Sequence, residues 1–105
     1  MTHSHAFLSW PFDLPINSGV FTTRQVLEGL QPVREVYHDH DGDWQFLCGT
    51  TLDREDLKFV CLGCMVERDP TVGELSEMSP GWYAARQGHG AEWIQEPYAD
   101  REDEA

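Results

Sequence analysis

The pair Asp41-Gly42 stands between two strand-like runs, residues 32–39 and residues 43–48, and this constrains the chain more than any other local feature. Glycine accepts the positive φ of tight hairpin turns, and Asp-Gly between β-rich runs is a strong hairpin signal. The second run places Trp44, Phe46 and Cys48 on one face of a strand. That face is the expected core side, and the rest of the chain must supply what covers it.

Further elements follow from the same local rules. Residues 19–23 are β-branched and aromatic enough for a strand end. Thr23 is a fair N-cap and Gly29 a fair stop for a helix of one or two turns between them. Residues 49–56 are polar and acidic and read as an exposed loop; residues 58–62 read as a short, largely buried strand with a chain turn at Gly63. Asp69 and Pro70 suit the cap and first turn of a helix reaching Met78, with Val72, Leu75 and Met78 on its buried side. Residues 82–86 and 92–95 are two more strand candidates across the turn Gly88-His89-Gly90. The sum is an α+β fold: a small curved antiparallel sheet with one or two short helices.

A chain of 105 residues is the size of one domain. Residues 1–98 are expected to form it, with residues 1–17, which carry Pro11 and Pro15, as an extended arm packed on the body. Residues 99–105 have no apolar anchor and read as a disordered acidic tail. Phe21, Tyr37, Trp44, Phe46, Phe59, Trp82 and Trp93 are large enough to supply much of the core.

Charge limits the partners. Asp and Glu number 19 against 7 Lys and Arg, a formal net charge of −12. The few cations are scattered, so neither nucleic acid nor an anionic membrane is an expected partner. Such acidity keeps a small protein soluble, and it also steers a basic partner by its field; the two roles are compatible. No stretch reaches the apolar length of a membrane span, and residues 1–5 lack a secretory signal. Three cysteines, Cys48, Cys61 and Cys64, are an awkward count for a disulfide framework and suit reduced thiols. A cytoplasmic location is the expectation.

Two clusters carry metal-ligand chemistry on paper. His38 and His40 would share a face if their strand continued, with acids nearby, but Asp and Gly belong in a hairpin turn anyway and no third ligand is evident. Cys61 and Cys64 form a single C-x-x-C without a matching second pair. A redox motif places its first Cys at a helix start, whereas Cys61 is expected inside a strand and both thiols in the core. No nucleophile elbow or Ser/Cys-His-acid set is present, so no catalytic residue and no cofactor is assigned. His89, between two glycines, is an exposed loop histidine.

The segments Val20-Phe21-Thr22-Thr23-Arg24-Gln25-Val26-Leu27-Glu28-Gly29 and Gly42-Asp43-Trp44-Gln45-Phe46-Leu47-Cys48-Gly49 resemble the immunity-protein-like domains of small bacterial proteins of uncharacterised function. That pattern pairs Val-Leu-Glu-Gly with a later Gly-Trp-x-Phe-x-x-Gly. The likeness spans residues 19–75, with Asp43 intervening between Gly42 and Trp44, and it includes Asp69-Pro70. It implies a non-catalytic bacterial cytoplasmic protein that neutralises a toxin, and it carries over no catalytic position. A binder of a basic protein would use its densest exposed charge: Asp39, Asp41 and Asp43 in one loop, Asp53, Glu55 and Asp56 in the other. The alternatives are a metal-binding protein or metal-dependent enzyme built on His38/His40 or Cys61/Cys64, and an adaptor presenting Phe7, Trp10 and Phe12 from the arm.

Overall fold

The computed structural model describes residue 7, residues 9–51 and residues 53–98. The proposed acidic tail, residues 99–105, lies outside the described residues. The chain forms β1 (Gly19–Thr23), α1 (Arg24–Leu27), β2 (Glu35–His38), β3 (Trp44–Leu47), β4 (Leu57–Cys61), α2 (Leu62–Arg68), β5 (Trp82–Ala85) and β6 (Ile94–Pro97). Two 3-10 helices, Arg54–Asp56 and Pro70–Leu75, complete it.

The six strands make one open sheet in the order β4-β1-β3-β2-β5-β6. The α+β class stands, but the sheet is mixed rather than antiparallel, because β1 runs parallel to β3. After β1 the chain passes through α1 and beyond the place of β3 to begin β2. The β2–β3 hairpin then folds back and inserts β3 beside β1. Alternation of side chains encodes which face a residue takes and says nothing of strand direction, so this crossover was not readable from the pattern.

The hairpin itself forms as expected. The Asp39 amide donates to the Asp43 carbonyl and the Gly42 amide to the Asp39 carbonyl, with Gly42 at φ 99°. Gly29 ends α1, its amide closing on the Val26 carbonyl. Thr23 holds the cap position of α1, but its hydroxyl donates to Cys48 Sγ and accepts from no helix amide. Gly63 marks no turn: it is buried inside α2, whose Leu62, Met65 and Val66 form one buried face. Asp69 does cap the next helix, accepting from the Thr71 amide, and that helix is a 3-10 helix ending at Leu75.

α1, α2 and the 3-10 helix Pro70–Leu75 pack on one side of the sheet. Val20, Trp44, Phe46, Val36 and Ala84 point to that side and pack with Val26, Leu62, Met65, Val72, Leu75 and Met78. Each such side chain contributes about 1.5–3 kcal/mol by leaving water. Phe12 of the arm joins this core edge-on to Trp44, and Phe7 and Trp10 pack against it. The arm aromatics are therefore part of the packing rather than a free surface. Among the described residues no helix is long and apolar enough to cross a membrane.

Candidate functional site

None of those three helices covers the other side of the sheet, and strand register determines what it displays. Phe59 pairs with Phe21, Phe21 with Gln45, Gln45 with Tyr37, Tyr37 with Tyr83, and Tyr83 with Glu96. Residues directly opposite one another share a face, so these six form one row across all six strands. Val20, Thr22, Val36, Phe46 and Ala84 occupy the alternate positions and are buried, which assigns the row to the open side. Phe21, Tyr37 and Phe59, expected in the core, thus line the opposite face, and Phe59 is 67% exposed. Trp82 is likewise exposed, whereas Trp44 and Phe46 take their expected core places.

The rings of this face support each other. Phe21 and Phe59 meet edge to face at 5.1 Å, and Tyr37 stacks on Tyr83 at 5.4 Å. Tyr98 stands edge-on to Tyr37 at 5.4 Å. Gly19 makes room for this packing: a Cβ there would collide with the Phe59 ring, which covers the glycine backbone.

Carboxylates border the rings. Asp39 accepts from the Tyr98 hydroxyl at 2.6 Å and from Gln45 Nε2 at 2.9 Å. The Tyr83 hydroxyl donates to Glu96 at 3.2 Å. Glu35 lies on the same face, paired with Leu47 and Ala85. The negative field is felt by the phenols: burial, with Glu35 next, raises the Tyr37 pKa, and the hydrogen bond to Glu96 raises that of Tyr83. The one basic strand residue, Lys58, pairs with Thr22 and therefore belongs to the other face. Among the strand residues, the open face holds acids and aromatics and no cation.

The six acids singled out from sequence fall in two places. Asp39, Asp41 and Asp43 lie in the turn that starts β3, and Asp53, Glu55 and Asp56 lie just before β4, which pairs with the end of β1. Because β1 and β3 are parallel, the two groups sit at opposite ends of the central strands, about 15 Å apart at roughly 3.3 Å per residue. They bracket the face rather than form one patch. Asp41 accepts from the Asp43 amide and Asp53 from the Glu55 amide, so both shape their own loops. Asp43 and Glu55 are exposed. Asp56 is committed to Gln25, Thr51 and Arg24, and these bonds, Gln25 first, hold its carboxyl below the ordinary value.

The remaining candidates have other occupations. His38 stacks on Trp44 at 4.0 Å with Nδ1 on the Met78 carbonyl, while His40 packs on Tyr98. The strand ends at His38, so the shared face that would have let the two histidines grip one ion is not formed. No three His, Cys, Asp or Glu side chains converge to hold a metal among the described residues. His89 Nδ1 stands 3.7 Å from Asp69, but that carboxylate is taken by Arg86 at 2.7 Å. Arg86 also donates to the Val33 carbonyl and Thr71 Oγ1 and lies over the Trp93 ring at 4.1 Å. This buried network ties the β5–β6 hairpin to the helical side. Cys61 lies in the strand as its last residue and also caps α2, and Cys61 and Cys64 are half-buried rather than in the core. Cys48 is fully buried; burial works to raise its pKa, but hydrogen bonds from Thr23 and Thr50 outweigh this and lower it.

Sequence reasoning missed the open aromatic row. The available signal was the alternation itself, since Phe21 lies between Val20 and Thr22 and Tyr37 follows Val36. Both sets cannot face one core. Compared with known proteins, the chain matches no family model, no curated protein and no solved structure.

Proposed function

We propose that this chain is a binding protein that docks a basic partner protein against the open face of its sheet. The observation that carries the reading is the row of aromatics, Phe59 exposed and Phe21, Tyr37 and Tyr83 half-buried, bordered by Asp39, Glu35 and Glu96, with no cation among the strand residues of that face. Apolar patches of this kind are what interfaces use, and aromatic side chains are enriched at their centres. Five strand spacings of about 4.8 Å by some 13 Å of strand give a flat area of order 300 Å², less than half of the roughly 800 Å² that one partner in a standard interface contributes. The loops at residues 39–43 and 53–56 extend it at both ends, and their acids add to the net charge of −12. That field accelerates encounter with a basic surface and discriminates against acidic ones. Occlusion of a toxin's basic cleft, the role implied by the resemblance to immunity-like domains, is one use of such a surface.

The test is affinity capture at low salt followed by titration of the captured protein with variants. Phe59→Ala and Tyr37→Ala should weaken binding by tenfold or more, the scale of about 1.4 kcal/mol or above expected at an interface centre. Glu35→Lys should weaken it and reduce its salt dependence. Binding by all three variants equal to that of the original chain would refute the reading.

A further inference from the structure

Cys61 and Cys64 sit at the junction of β4 and α2 with their sulfurs 2.9 Å apart, and the Cys64 amide donates to Cys61 Sγ at 3.3 Å. A disulfide requires about 2.05 Å, so bond formation asks for less than about 1 Å of sulfur movement. Both side chains are partly exposed, whereas Cys48 is fully buried and beyond the reach of an incoming molecule. We propose that Cys61 and Cys64 form a thiol–disulfide exchange site, oxidised to an intramolecular disulfide by disulfides on cationic or neutral carriers. The site is separate from the docking reading and does not depend on it.

The step balances as follows in atoms and electrons. Cys61, as thiolate, attacks one sulfur of the incoming disulfide; its S–S bond breaks and one thiol leaves after taking a proton from solvent. Cys64 then loses its proton to solvent and attacks Cys61 Sγ, expelling the second thiol. One disulfide is reduced to two thiols, and the two cysteines are oxidised by two electrons. Burial first, then Cys61 itself, pushes the Cys64 thiol up to about 11. Cys64 therefore keeps its proton at neutral pH, and Cys61, whose sulfur accepts from the Cys64 amide, is the attacking sulfur. The loop closed by this bond is very short and confers little chain-entropy stabilisation, which suits a bond that forms and reopens. The carrier preference comes from charge: the chain carries −12 and Glu67 lies near Cys64.

The experiment treats the full chain with cystamine or with oxidised glutathione, then alkylates remaining thiols and locates them by peptide mass spectrometry. Cystamine should yield the Cys61–Cys64 disulfide with Cys48 still reduced, faster than anionic glutathione disulfide at low salt and with the difference shrinking at high salt. Cys64→Ser should stop at a mixed disulfide on Cys61. Cys61→Ser should slow capture severalfold, since the burial that raises the Cys64 thiol pKa remains in that variant. Lasting mixed disulfides in the unsubstituted chain without an internal bridge, or Cys48 reacting as fast as Cys61, would overturn the assignment. So would equal capture rates for Cys61→Ser and Cys64→Ser.

Discussion

Replacing Asp69 by Ala removes the carboxylate partner of a guanidinium whose side chain is 1% exposed. Arg86 would keep its bonds to the Val33 carbonyl and to Thr71 Oγ1, but its charge would remain buried without a counter-charge. Breaking one side of a buried ion pair costs about 3–5 kcal/mol. The Asp69 carboxylate also accepts from the Thr71 amide at the start of the 3-10 helix, and loss of such a cap costs about 1 kcal/mol, overlapping the first term. A total near 4 kcal/mol is a large part of the roughly 5–15 kcal/mol that holds a small domain together. At about 4–8 °C per kcal/mol for a domain of this size, Tm should fall by more than about 15 °C. Urea unfolding followed by tryptophan fluorescence measures it directly, and Trp93, beneath the guanidinium, is a local reporter. Asp69→Ala combined with Arg86→Met should recover much of the loss, because no unpaired charge is then buried. A cost below about 1 kcal/mol for Asp69→Ala, or a double variant as unstable as the sum of the singles, would refute this account.

Acid should act through Asp56, whose hydrogen bonds to Gln25, Thr51 and Arg24 lower its carboxyl pKa below 3.8. A lowered folded value means that the contribution is present above the unfolded value and is lost as pH falls through the folded one, so Asp56→Asn should flatten the acid limb of a urea-midpoint profile; an unchanged limb would exclude Asp56 as its source. On the alkaline side, the Tyr83 phenol titrates above 10 because its hydroxyl donates to Glu96. Glu96→Gln should bring that titration back toward 10 in an ultraviolet difference spectrum, and no movement would show that the bond does not form.

What could be read from the sequence was local. The turn at Asp41-Gly42, the stop at Gly29, the cap at Asp69 and the strands on either side of residues 88–90 rest on neighbours a few positions apart, and each appears close to its expected place. The helix Leu62–Arg68 was hidden because its apolar run continues that of β4 and a glycine stood where a turn was expected. The parallel pairing of β1 with β3 and the Asp69–Arg86 pair depend on where distant segments meet, which no local periodicity records. For the site, the acids were visible as residues, but their separation to the two ends of the sheet and the aromatic row between them emerged only from register.

Among the described residues the strand β4 ends the sheet with no strand on its outer side, and Leu57 and Phe59 are exposed on its face. An edge of this kind is a template for another copy of itself, and Lys58 is the only charge within it. Repulsion between bodies that each carry a formal charge of −12 opposes joining there. The acidity therefore supplies a colloidal barrier to self-association. Concentrated salt or protonation of the carboxylates lowers that barrier.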